Sequence, residues 1–112
     1  MAVEIASLAD EQVPATLGDL YLADGKSALI KNMIFTNTDS QARTLNVYFL
    51  KSGGSPGTDE RRILAKDLVL PSGYSVVHDA EISLSDGDKI RGIASAADVI
   101  DYVINGVERE VV

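Results

Sequence analysis

The apolar and polar positions of the chain fall into short runs of period two, cut by turn chemistry, and helical periodicity is scarce. Along residues 43–50, Leu45, Val47 and Phe49 share one face while Thr44 and Asn46 share the other, the alternation of a half-buried strand. Residues 27–36 are rich in strand formers and stop at Asn37, Thr38, Asp39 and Ser40, a polar cluster suited to a turn. Further strands are predicted over residues 18–22, 63–64 with 67–70, 74–78, 80–84, 89–95 and 99–105. Pro71, Ser72 and Gly73 make one turn. Ser85, Asp86, Gly87 and Asp88 make a hairpin-type turn, in which glycine accepts a positive φ. Residues 96–98 are a short link between strands expected to be antiparallel neighbours. In the last strand Ile100, Tyr102 and Ile104 face one way and Val99, Val103 and Val107 the other, which suits a central or inter-subunit strand.

Roughly eight strands point to an all-β fold, a two-sheet antiparallel β-sandwich. A jelly-roll-like order is expected, with an immunoglobulin-like one as the alternative. The sandwich is assigned to residues 17–108. Residues 1–16 are expected to be an extended N-terminal arm, because Ile5, Leu8 and Val13 stand among acidic and small residues and Pro14 breaks any helix. Residues 109–112 form a C-terminal tail. Its closing Val111 and Val112 admit two readings, fraying or docking on a partner.

Composition changes this picture little. Hydrophobic residues are 46% and charged residues 24% of the 112, an ordinary globular balance with room for one core. The net charge of -7 repels phosphate backbones and argues against nucleic acid. The charge is uneven: residues 1–24 carry -5, residues 25–66 carry +4 and residues 67–112 carry -6. That layout either lets an acidic edge of one copy meet a basic edge of another or is chance. No cysteine is present, so disulfides and thiolate metal sites are excluded. Residues 1–5 lack the basic flank and apolar run of a signal peptide, and no stretch reaches the ~20 apolar residues of a membrane span. A soluble protein made in the cytosol, with no membrane partner, is expected.

No candidate constellation in the sequence completes a catalytic or metal-binding set. His78 with Glu81 offers two metal ligands where a stable site needs three or four. His78 with Asp79 and Ser72 or Ser75 resembles a triad in residue type, but Ser75 is not in a Gly-x-Ser-x-Gly elbow. The loop of Gly53, Gly54, Ser55, Pro56, Gly57 and Thr58 lacks the spacing and the lysine of a phosphate loop. Asp86, Gly87 and Asp88 are part of a calcium pattern without its closing Glu. Asp79, Glu81 and Asp101 would need tertiary convergence for glycoside chemistry, and 5% aromatics with no Trp leave little to stack a sugar. The expectation is a binding and assembling domain with no catalytic, cofactor or metal residues, not an enzyme. Arg61 and Arg62 admit two readings, a solvated surface pair or a fork that grips a partner's carboxylate. Together with Ile5, Leu8, Val13, Val111 and Val112 they form the expected partner-binding set.

Several pieces carry a resemblance: Val13 to Tyr21, Gly25 to Asn32, Asn37-Thr38-Asp39, Val47-Tyr48-Phe49, Ser52-Gly53-Gly54, Arg62-Ile63-Leu64, Leu84 to Ile90, Ala94 to Ala97, and Tyr102 to Glu108. Over about residues 13–108 the chain resembles small virion structural proteins of tailed bacteriophages, in particular the β-sandwich proteins that decorate or cement capsids. Residues 1–12 lie outside the resemblance. It implies no cofactor and no active site. It implies a capsid decoration protein on the virion surface, made in the host cytoplasm, with the major capsid protein and itself, as a homotrimer, for partners. Similar modules on tails, collars and fibres give the alternative, and a carbohydrate-binding module on the virion surface gives another.

Overall fold

The structure, a computed structural model, describes residues 3–110, with side chains from residue 6 onward. The strands are β1 (Val3–Gln12), β2 (Gly18–Leu22), β3 (Lys26–Asn37), β4 (Arg43–Leu50), β5 (Arg61–Arg62), β6 (Leu68–Leu70), β7 (Ser75–His78), β8 (Ile82–Leu84), β9 (Lys89–Ala94) and β10 (Ile100–Glu110). They form two antiparallel sheets. One has the order β1-β10-β3-β7, with β8 also on β3; the other has the order β2-β9-β4-β5, with β6 also on β4. Because β7 and β8 share one edge of β3, and β5 and β6 one edge of β4, the strands fill eight positions. Apart from those split edges and the β4–β5 hairpin, each link carries the chain from one sheet to the other. That is the wrapped order of a jelly roll rather than an immunoglobulin-like one.

This order corrects two local expectations. Residues 85–88 do turn sharply, with Gly87 at φ 90°. They join β8 in one sheet to β9 in the other, however, and make no hairpin. Asp88 explains the path: its carboxylate accepts from the Ser85 N–H at 2.9 Å, closing the turn, and from the Ser52 N–H at 2.8 Å, holding the turn to the opposite loop. Likewise β9 and β10 are not neighbours; the link between them crosses the sandwich, with Asp98 at φ 60°. Turn residues dictate that the chain reverses, not which strand it then pairs with.

The stretch read as an arm is extended and hydrogen-bonded along the sheet: β1 pairs with β10 from Val3↔Arg109 to Gln12↔Asp101, with a register shift between Ser7 and Ala9. Backbone groups on one side of β1 are thereby satisfied. Val13 then enters the core, fully buried, its N–H donating to the Ile100 carbonyl at 2.9 Å. At the other end Arg109 and Glu110 belong to β10 rather than to a separate tail. The strand expected at Ile63 and Leu64 forms its ladder at Arg61 and Arg62 instead, and Ile63 and Leu64 turn inward against the core.

Between the sheets Ile30, Met33, Phe35, Leu45, Val47, Ile90, Ile100 and Ile104 are fully buried. The rings of Phe35 and Tyr102 lie 6.2 Å apart and tilted. Burial of apolar area of this kind drives the two sheets together. Polar ties then fix how they sit. The Tyr102 hydroxyl of β10 donates to the Leu20 carbonyl of β2 at 2.7 Å, buried between the layers. Burial, followed by the fields of Glu11 and Asp10, pushes the Tyr102 hydroxyl up to about 12. At the end of β3, the buried Asn37 amide donates to the carbonyls of Gln41 at 2.8 Å and Leu70 at 2.9 Å and accepts from the Asp39 N–H at 2.9 Å. One side chain thus joins the end of β6 to the turn after β3.

Candidate assembly surface

The outer face of the β1-β10-β3-β7 sheet is striped. Since Met33, Phe35, Tyr102 and Ile104 point inward and are buried, their neighbours along each strand point to solvent. The pairs Val77↔Ile34 and Ile34↔Val103 make one aliphatic row across three strands, ending beside Asp10 of β1. Ile34 and Val103 are half-buried; Val77 is exposed. A second row runs through Leu29 and Val107, both half-buried. Polar rows lie on either side of the first. In one, the Thr36 and Ser75 hydroxyls are 2.7 Å apart and the Gln12 amide donates to Asp101 at 3.0 Å. In the other, the Asn105 amide donates to the Asn32 side-chain oxygen at 2.9 Å. The expectation that β10 carries two apolar faces therefore has a geometry: one face is core and the other is surface.

The two arginines singled out in the sequence have different environments. Arg62 is held by its own chain: Nη1 donates to the Asn46 side-chain oxygen at 2.6 Å and the guanidinium lies 5.0 Å from the centroid of the Tyr48 ring. Asn46 in turn accepts from the Asp67 N–H at 2.9 Å and donates to the Asp67 carboxylate at 3.0 Å, which holds Asp67 at φ 52°. Arg61 is exposed and, among the described residues, donates to the backbone carbonyls of Asp59 and Glu60, both at 3.3 Å. Among the other expected contact residues, Leu8 is half-buried against the core and Val13 is wholly inside it, so Val13 offers a partner nothing. The Ile5 side chain, Val111 and Val112 lie outside the described residues.

The glycine-rich loop between β4 and β5 is folded down rather than free. Gly57 N–H points at both Glu60 carboxylate oxygens, each at 3.0 Å, and Arg91 of β9 donates to the same carboxylate at 2.8 Å. The Gly57 hydrogen bond, helped by Arg91 and opposed by burial, holds the Glu60 carboxyl below the usual range. Arg91 also donates to Asp19 of β2 at 2.9 Å and is held above its ordinary value by these two carboxylates against the opposing effect of burial. Beneath the loop Leu50 is buried on the outer side of its sheet, where a Cβ on Gly54 would come within 2.8 Å of it. Sequence reading missed Glu60 and Arg91; only the fold brings them together.

The constellations weighed for chemistry do not assemble. Ser75 and His78 stand an odd number of positions apart on β7 and so face opposite ways, and Ser75 pairs with Thr36. Ser72 donates to the Asp39 carbonyl at 2.6 Å. Among the described residues no group of three or more His, Cys, Asp and Glu is placed to hold a metal ion, and no helix is long and apolar enough to cross a membrane.

No protein-family model and no curated protein sequence matches the chain. Among solved structures it is similar to a chain of Bacillus endospore appendages, described as a novel family of disulfide-linked pili, with TM-score 0.54 and 17% identity over 99% of this chain and 88% of that one. It is also similar to a chain of infectious bursal disease virus, Gx strain, with TM-score 0.52 and 15% identity; 96% of this chain spans 32% of that one. A weaker likeness, TM-score 0.38 at 17% identity, is to a pentameric capsid protein isolated from metagenomic phage sequences. At these identities the likeness is one of fold.

Proposed function

We propose that the chain is a bacteriophage virion structural protein without enzymatic activity, a decoration protein that binds the outside of the major capsid shell and stabilises it by bridging capsid subunits. The observation that carries the reading is the row Val77, Ile34 and Val103, an aliphatic stripe on the solvent side of a sheet whose other side is already core. Desolvating such a stripe against a partner drives association, and the polar rows beside it set the register. The resemblance along residues 13–108 supplies the capsid as that partner, and repetition over a symmetric shell multiplies a modest contact. Assembly of the protein as a trimer belongs to the same reading.

Cosedimentation with purified capsids tests it. The wild-type chain is expected to pellet with the shell, and Val77→Asp with Val103→Asp to stay in the supernatant while keeping its fold by circular dichroism. Equal binding by the double variant would count against the stripe. A wild-type chain that never binds capsids would count against decoration.

A second reading places the same module on a tail, collar or fibre. It is favoured by the likeness to a pilus chain, which runs over 88% of that chain and 99% of this one. Antibody labelling of intact virions separates the two: many copies over the head support decoration, and label confined to the tail supports the alternative.

A further inference from the structure

The two lateral sides of the sandwich differ in charge. On the side closed by β1 and β2, Asp10, Glu11, Asp98 and Asp101 are all exposed. Gln12 gathers two of them, donating to the Asp98 carbonyl at 3.4 Å and the Asp101 carboxylate at 3.0 Å. None of the four is in an ion pair among the described residues. On the opposite side, at the edge made by β5 and β6, Arg61 and Lys66 are exposed and without ion pairs among the described residues. The acids of that side are engaged or stand apart: Asp59 accepts from the Ser55 N–H, Glu60 is paired with Arg91, Asp67 meets Asn46, Glu81 meets Lys31, and Asp79 lies on the β7–β8 half.

Apolar exposure follows the same division. Val69 is 58% exposed, Tyr74 63% and Val77 56%, and all three lie on the β6–β7 side; among the described residues the remaining large exposed hydrophobic, Leu22 at 40%, lies on β2. The basic side thus holds the apolar area that gains from being covered, and the acidic side presents the charge that complements it. Two acidic sides brought together would oppose like charges. The free edge of β1 is therefore protected against pairing with its own copy, as charged edge strands are.

We propose that a second copy of this chain docks its acidic β1–β2 side against the Arg61, Lys66, Val69 and Tyr74 side of the first. The contact is heterologous, so it repeats from copy to copy and closes into a ring or runs on as a filament. It rests on the reading of the chain as a self-assembling subunit and adds the surfaces by which it assembles.

Two charge reversals test it. Asp10→Lys, Glu11→Lys and Asp101→Lys leave Asp98 alone against three lysines and so make both sides basic, and Arg61→Glu with Lys66→Glu makes both sides acidic; all five positions are exposed and outside the core. Sedimentation velocity is expected to show wild-type oligomers that weaken at high salt. Each variant alone is expected to associate about tenfold or more weakly, since about 1.4 kcal/mol suffices for that. An equimolar mixture is expected to recover association by alternating the two. Variants must melt as the wild type does, which separates lost contact from lost fold. Reversals without effect, a mixture that stays monomeric, or a wild type that is monomeric throughout would each overturn the proposal. Oligomers that do not bind capsids leave this contact standing and remove decoration instead.

Discussion

Gly106 of β10 lies so close to Leu29 of β3 that a Cβ at position 106 would stand 2.1 Å from the Leu29 carbonyl oxygen. The register explains the closeness: Asn105 pairs with Asn32 but Gly106 with Ile30, so Lys31 is an extra residue bulged out of β3 at that point. The obstacle is main chain of the longest pair in the sheet, and it cannot swing aside as a side chain would.

Gly106→Ala is therefore expected to destabilise the fold by about 1–3 kcal/mol or more, as overpacking against a rigid neighbour does. Urea denaturation gives the value. A loss within about 0.5 kcal/mol, the range of an ordinary surface substitution, would mean that the bulge relaxes freely.

Tyr102 joins the two sheets through its hydroxyl at the Leu20 carbonyl. Tyr102→Phe should cost about 0.5–1.5 kcal/mol, the net worth of a hydrogen bond, because the ring still fills its place. Its alkaline behaviour follows from the hydroxyl being raised from 10.0 to about 12. The folded state keeps its proton where the unfolded state has lost it, so the contribution is whole below pH 10 and is lost as pH rises toward 12. Stability measured across that window should fall less in Tyr102→Phe than in the wild type.

Glu60 acts at the other end of the pH scale. Its carboxyl is held below the ordinary value by the Gly57 N–H and by Arg91, so its contribution is present above the unfolded value of 4.5 and is lost as pH falls through the folded one. Glu60→Gln is expected to flatten the acid limb of the stability curve. It should also speed amide exchange at Gly57, which hydrogen exchange reads residue by residue. An unchanged exchange rate would show that the loop is held by other contacts.

Much of the local structure was legible along the chain. The bounds of β2 and β4 follow from alternation and flanking turns, and β3 extends one residue beyond the run expected at each end. The two faces of β10 were legible for the same reason, because side chains alternate with period two in any strand. The crossing of residues 85–88 and of the link before β10 was not, since a turn has the same local chemistry whether it returns to its own sheet or passes to the facing one. Glu60 and Arg91 were invisible for a related reason: 31 residues apart in sequence, they meet only because the β4–β5 loop folds down over β9. Val13 and Arg62 look available in the sequence and are engaged by the chain itself, one by the core and the other by Asn46 and Tyr48.

By itself, then, the sequence determined an all-β chain of short alternating strands with a glycine-rich loop, no cysteine and an uneven charge. These are properties of single residues and near neighbours, governed by sterics, solvation and composition. Tertiary structure decided the jelly-roll order, the docking of residues 3–12 onto β10, and the placing of Asp10, Glu11, Asp98 and Asp101 on the side opposite Arg61 and Lys66. Strand partners are chosen by burying apolar faces and satisfying backbone groups over the whole domain at once, and no window of the chain contains that sum.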